Sequence, residues 1–197
     1  MASKWIFLIL VFFSCETTGQ KKQDDLAIRS LIDSYSKAYL SKDWESVANL
    51  IHPEVFNFFS KNDFIKSVDD TLTREYYHMV ENNLFVDSIT PIIHKKEDKY
   101  ALVYLRNESV LEMSLKVDSS LWDKVSLAVC KQLKESFKKD FVTCTGLNKR
   151  ISYKIKEKAY VIFLKGQEKW FMLTKDEDSK GLVDKLIPTN IREKLGY

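Results

Sequence analysis

Few residues in this sequence have the types and spacing that catalysis or metal binding requires. The three histidines, His52, His78 and His94, are scattered, and no two have the i, i+4 spacing of a metal pair on a helix. There is no glycine-rich phosphate loop, no G-x-S-x-G motif and no Cys-x-x-Cys pair. The sequence therefore predicts no metal site, no cofactor and no catalytic residue.

The three cysteines carry more information. Cys15 follows the apolar run 5–13, which Lys4 precedes. This run is too short to span a bilayer, which takes about 20 residues, but has the length of a signal-peptide core. In an exported chain the remaining two cysteines, Cys130 and Cys144, favour a disulfide. The alternative is a pair of buried reduced thiols, because cysteine also packs as a small hydrophobic residue.

The segment around Cys15 resembles the lipobox of bacterial lipoproteins. Ser14 supplies the small residue before the cysteine, although Phe12 and Phe13 replace the usual Leu and small residue. The resemblance implies a signal peptide over 1–14 and acylation of Cys15 by chains such as palmitate. Residues 16–25 are polar without apolar periodicity, which predicts a flexible tether, so that 15–25 comprises the lipidated cysteine and this tether. Glu16 in place of Asp implies an outer-membrane protein of the cell envelope. An ordinary cleaved signal peptide is the alternative.

The stretch 26–59 predicts two helices. Apolar residues at Ile28, Leu31, Ile32 and Tyr35 lie on one helical face, and Ser41-Lys42-Asp43 interrupts the pattern. A second stripe begins at Trp44 and ends at His52-Pro53, because the residue before a proline avoids the helical region.

Later segments alternate between helical and extended patterns. We expect a helix from about 60 to 72, a turn at Asn82-Asn83, strands over 84–94 and 100–113, a helix over 121–139, a short strand over 141–145, and strands over 150–164 and 169–174 joined by a hairpin turn. Helices followed by antiparallel strands define an α+β domain, here 26–197 with a helical insert at about 120–140.

The break Lys42-Asp43-Trp44 and the turn His52-Pro53-Glu54 resemble the nuclear transport factor 2-like superfamily, which includes ketosteroid isomerase. The resemblance implies a curved sheet wrapped around the helices as a cone, with a pocket at its open end. Candidate pocket residues are Tyr35, Tyr39, Phe59 and Tyr104. Tyr35 matches the tyrosine of ketosteroid isomerase-like members, but the position of their general base falls at about Phe59, which cannot accept a proton.

Composition narrows the partners. The net charge of +3 over 197 residues is too small to indicate nucleic acid. Lysines and arginines concentrate late in the chain, either as a solvated face or as a contact for acidic lipid head groups or an anionic glycan: Lys124, Lys131, Lys134, Lys138, Lys139, Lys149, Arg150, Lys154, Lys156 and Lys158.

These observations predict a membrane-anchored, non-enzymatic protein that binds a small apolar ligand or a partner protein, in the latter case through the inserted helix. The alternative is a small-molecule isomerase or dehydratase that uses an acid without a recognisable motif.

Overall fold

A computed structural model of the chain describes residues 3–72, 77–114, 118–136, 142–147, 149–174 and 180–196. Side chains are described from Gly19 onward, except at 70–72, 77, 136, 142, 147, 174 and 180. The helices are α1 (Ser3–Leu40), α2 (Trp44–Leu50), α3 (Lys61–Leu72), α4 (Trp122–Ser136), α5 (Lys180–Leu186) and α6 (Thr189–Lys194). The strands are β1 (Tyr77–Ile89), β2 (Ile93–Lys95), β3 (Asp98–Met113), β4 (Val142–Leu147), β5 (Arg150–Leu164) and β6 (Lys169–Thr174).

The six strands form one antiparallel sheet, which is curved and open. Its order is β1-β3-β5-β4, while β2 pairs with the start of β3 and β6 pairs with the end of β5. β4 and β6 therefore lie along the same edge of β5, at 150–155 and 159–164 respectively. The two long strands β3 and β5 form the centre of the sheet and position everything that packs on it.

One face of the sheet, the inner face, is packed against α1. Because side chains alternate along a strand, Ala101, Val103 and Leu105 of β3 point to the same side. They are buried together with Ile28 and Ile32 of α1. The apolar stripe of α1 therefore supplies the core that the helical spacing predicts.

Helix α4 covers the far end of the same inner face. Leu111, Ile151 and Tyr153 are buried beneath it, and a disulfide joins its Cys130 to Cys144 of β4. The Cα atoms of the two cysteines lie 5.6 Å apart, within the ordinary range for a disulfide. The insert between β3 and β4 is thus fixed to the edge strand of the sheet.

The opposite face, the outer face, is covered over half of its length. Tyr100, Leu102 and Tyr160 are buried there against α5 and α6, which contribute Val183 and Ile191. Further along the same strands, Tyr104 on β3 is exposed, as are Lys154, Lys156 and Lys158 on β5. No described helix packs on this second half.

The structure confirms the α+β class, with helices before an antiparallel sheet and a helix between β3 and β4. β5 and β6 have the predicted bounds. The predicted turn at Asn82-Asn83 is wrong, because both residues lie within β1 and Asn82 is buried. Helix α1 is continuous through the segment predicted as a tether, and Asp24 within it is buried.

Candidate functional site

The inner face turns polar between α1 and α4. Asn107 on β3 donates from Nδ2 to Oε1 of Glu157 on β5 at 3.2 Å. The Ser109 hydroxyl donates to Oδ1 of Asn107 at 2.6 Å. The Ser36 hydroxyl of α1 donates to the backbone oxygen of Asn82 at 2.6 Å. These groups form a hydrogen-bonded strip between the apolar core under α1 and the apolar core under α4.

Two tyrosines of α1 border this strip. The rings of Tyr35 and Tyr39 stack with centroids 5.9 Å apart, and Tyr39 meets Trp44 edge-on at 5.5 Å. Burial raises the pKa of Tyr39 to about 12, with smaller contributions from Tyr153 and Glu157. Burial also raises the pKa of Tyr35, as do Tyr39 and Glu157. Both hydroxyls therefore stay protonated at neutral pH, while the Glu157 carboxylate accepts from Asn107.

Glu157 is the functional candidate that the sequence reasoning missed. It sits between Lys156 and Lys158 and looks like part of a charged run. The alternation of the strand could have identified it. Ile155 and Ala159, two residues before and after Glu157, point inward and are buried, so Glu157 points inward as well. A half-buried carboxylate beside two tyrosines is the kind of group that acts as a general base or binds a polar ligand.

The structure separates the four candidate pocket residues. Tyr35 and Tyr39 lie together, whereas Phe59 belongs to another aromatic cluster, with ring centroids 5.9 Å from Phe56 and 6.2 Å from Phe64. Tyr104 lies on the outer face, where the Lys158 ammonium sits 5.0 Å from its ring centroid. Side chains alternate along a strand, so Tyr104 points away from the inward-facing Val103 and Leu105. Tyr104 and Tyr35 therefore lie on opposite faces of the sheet and do not share a pocket.

Two cavities are described, and none of these four residues lines either of them. The larger, about 390 Å³, lies where the middle of α1 meets the connection from β1 to β2. We call it the corner cavity. Its lining combines an apolar wall with polar groups from α1: Ile89, Thr90, Pro91, Ile92, His94, Gln20, Lys21, Asp24 and Asp25. Its volume is within the range of pockets that hold small molecules.

The polar side of the corner cavity is held rigidly. Asp24 is buried, and Nζ of Lys99 on β3 contacts both of its carboxylate oxygens, at 2.7 and 2.8 Å. Asp25 pairs with Arg29 one turn along the helix at 2.8 Å. This pairing neutralises both carboxylates, so the cavity presents to a ligand an apolar wall and a polar rim that also carries Lys21.

The histidines do not come together. His52 is buried between α2 and β6, His94 lines the corner cavity, and His78 lies on β1. Burial lowers the pKa of His52, against the smaller opposing charges of Glu54 and Asp98. Among the described residues no group of three His, Cys, Asp or Glu side chains is placed to hold a metal ion.

The proposed lipid site, Cys15, lies in the part of α1 whose side chains fall outside the described residues. None of the helices in the described part of the chain combines the length and the hydropathy needed to cross a membrane. No model of a known protein family matches the chain, and no curated protein matches it either.

Proposed function

We propose that this chain is an exported envelope lipoprotein, anchored through Cys15, whose domain binds a small and largely apolar ligand in the corner cavity without catalysis. The observation that carries the ligand part is the apolar wall of Ile89, Pro91 and Ile92 around about 390 Å³. Export and anchoring rest on the apolar run 5–13 and the cysteine that ends it. A disulfide in the folded domain is compatible with an oxidising compartment.

We also propose that the domain has the nuclear transport factor 2-like architecture. The support is its layout, in which a long first helix packs on the inner face of a curved antiparallel sheet. In that architecture the strip around Glu157 and Tyr39 occupies the region between helix and sheet. The proposal includes the cone shape of the curved sheet and a pocket at the open end of that cone.

Anchoring is tested by growing cells that express the full chain with an alkyne-tagged palmitate. We expect label in the wild-type protein and none in Cys15→Ser. Label that persists in the variant would contradict anchoring at Cys15. Secretion of an unlabelled wild-type chain would support the ordinary signal peptide instead.

Ligand binding is tested by native mass spectrometry of the full chain extracted in mild detergent. Ile92→Trp puts a large side chain into the corner cavity and should abolish retention of a small molecule. The matched control is Leu127→Trp on α4, because Leu127 is 72% exposed and far from the cavity lining. A clean apo mass for the wild type, or equal retention in both variants, would overturn the cavity proposal.

A second candidate function is an isomerase or dehydratase, favoured by the placement of Glu157 beside Asn107 and near two protonated tyrosines, Tyr35 and Tyr39. Glu157→Gln keeps the shape and the acceptor for Asn107 but removes the base. If the retained molecule is converted on incubation with the protein, seen as a change in mass for a dehydration or in chromatographic retention for an isomerisation, and Glu157→Gln stops this conversion while Ile92→Trp does not, the enzyme proposal is supported. An unchanged mass together with an unchanged retention favours binding alone.

A further inference from the structure

The uncovered half of the outer face carries a groove of about 240 Å³ that neither the core nor the proposed ligand site uses. We call it the outer groove. Its open-face lining comes from four neighbouring strands: Glu81 and Asn83 of β1, Glu108 and Val110 of β3, Ser152 and Lys154 of β5, and Thr143 and Thr145 of β4. All but Val110 are polar, in contrast to the corner cavity.

These side chains form two rows in strict register across the sheet. The first row runs Asn83, Glu108, Lys154 and Thr143, each paired with the next on the adjacent strand. The second row runs Glu81, Val110, Ser152 and Thr145 in the same way. With strands about 4.8 Å apart, each row spans roughly 14 Å. That length accommodates a chain of two or three linked rings rather than a single small molecule.

Apart from Val110, both rows consist of hydrogen-bonding groups. Thr143, Thr145 and Ser152 offer hydroxyls, which both donate and accept, and Asn83 offers an amide that does the same. Glu108 accepts from Lys154 at 3.0 Å and also pairs with Arg106. These hydrogen bonds hold the pKa of Glu108 below its usual value, so it stays an anionic acceptor in the middle of the first row. A ligand with many hydroxyl groups matches this arrangement.

The neighbouring surface adds positive charge and aromatic rings. Arg106 lies 4.7 Å from the Phe85 ring centroid, and Lys158 lies 5.0 Å from that of Tyr104. Phe85 and Tyr104 are 43% and 37% exposed. Lys156 faces Arg106 across the strand pair, and within the described part of the chain neither Lys156 nor Lys158 makes an ion pair. Two cations next to the groove are therefore available to an anionic group.

We propose that the outer groove binds an anionic oligosaccharide, whose hydroxyls contact the two polar rows and whose acidic groups contact Lys156 and Lys158. A recessed floor of hydroxyl and amide groups distinguishes this surface from one that only attracts charge, such as a membrane contact, where protruding lysines would suffice. The site lies on the opposite face of the sheet from α1 and is independent of the corner cavity.

The test uses the detergent-solubilised full chain and isothermal calorimetry with oligogalacturonate of about six units, against neutral maltohexaose of the same length. We expect binding of the acidic oligosaccharide that is at least about 10-fold tighter than that of the neutral one, because opposite charges meet at the groove. Thr143→Ala with Thr145→Ala should weaken it about 5-fold through lost hydrogen bonds. Lys156→Ala with Lys158→Ala should weaken it about 10-fold and reduce its dependence on salt.

The matched control is Lys124→Ala with Lys131→Ala, which removes two exposed lysines of α4 outside the groove and should leave binding unchanged. Loss in this control equal to that in Lys156→Ala with Lys158→Ala would overturn the proposal in favour of unspecific charge attraction. Equal binding of the two oligosaccharides, or no effect of the threonine variant, would also overturn it. So would binding of phosphatidylglycerol vesicles through Lys156 and Lys158 without oligosaccharide binding. Ile92→Trp should not change this binding, so the two sites fail or succeed separately.

Discussion

The two halves of the outer face are built from the same two strands but differ in what covers them. At one end Tyr100, Leu102 and Ile162 are buried under α5 and α6. At the other end the side chains at the same parity are Tyr104 and Glu108 on β3 and Lys156 on β5, and no described helix covers them. Burial changes to exposure between Leu102 and Tyr104, which are successive outward-facing residues of β3.

The inner face of β3 and β5 is covered by helices at both ends of the strands, whereas the outer face is covered over only half of their length. Inward positions of β3 are apolar from Ala101 to Leu105, under α1, and again at Leu111 and Met113, under α4, with the polar strip between them. Outward positions lose their apolar character where the helical cover ends. A polar outer half is free of packing constraints, so its composition can follow a ligand instead.

The largest expected effect compares Leu102→Ala with Tyr104→Ala, two truncations on the same face of β3. Leu102 is fully buried, so its loss should lower the free energy of unfolding by about 2–5 kcal/mol through lost burial and a cavity. Tyr104 is 37% exposed, and its loss should cost less than about 1 kcal/mol. Urea denaturation of each variant measures both. Equal losses would mean that the outer half is packed after all.

The second prediction concerns the disulfide that fixes α4 to the inner face of the sheet, on the side opposite the outer groove. Replacing both Cys130 and Cys144 by Ser removes a disulfide with a sequence separation of 14. The chain-entropy estimate for such a loop is on the order of 3 kcal/mol. Urea denaturation of the double variant should show this loss. Combined with Leu102→Ala the two losses should add, because the sites lie in different core clusters; a strong coupling would contradict the separation of the two halves.

A smaller effect tests how closely α4 approaches β4. A Cβ at Gly146 would lie 2.5 Å from Cβ of the buried Ser126, so Gly146→Ala should displace α4 and cost about 1–3 kcal/mol. A Cβ at Gly181 of α5 would meet no described atom within 4 Å, so Gly181→Ala should be neutral or slightly stabilising. Adding Ser126→Gly to Gly146→Ala should recover part of the loss. Without that recovery, the contact is not the cause.

The periodicity of the sequence predicts the inner face well because burial and alternation agree there. The apolar stripe of α1 and the strands β5 and β6 follow from it, and the disulfide partners follow from the cysteine count once export is assumed. Asn82 shows where local preference fails, because its turn propensity is overridden by pairing with Ser109 on β3 and by the hydrogen bond from Ser36.

The candidate sites depend on contacts between distant segments, which periodicity does not determine. The corner cavity joins residues 20–25 to residues 89–94, and no local pattern brings them together. The outer groove needs the register of four strands, and register follows from the fold. Glu157 could have been identified from its parity on β5, but only once the strand and its inward face were known.

The smallest expected effect is a difference in how the stability of the two halves depends on pH. His52 borders the covered half, with its ring centroid 6.2 Å from that of Phe171, and its Nδ1 has no hydrogen-bond partner among the described residues. Burial lowers its pKa from the usual 6.5, so between 6.5 and the lowered value the unfolded chain binds more protons than the folded one. Stability should therefore fall as the pH drops below 6.5.

On the uncovered half, Glu108 and Glu112 act in a different range. Lys154 and Lys149 lower the pKa values of these carboxyls from the usual 4.5, so their contribution is present above 4.5 and is lost as the pH falls further. Urea midpoints between pH 7.5 and 4.5 should decline in the wild type and stay flatter in His52→Leu, which removes the buried imidazole. An identical decline in both proteins would remove His52 as the cause, since the two carboxylates lose their contribution only below pH 4.5.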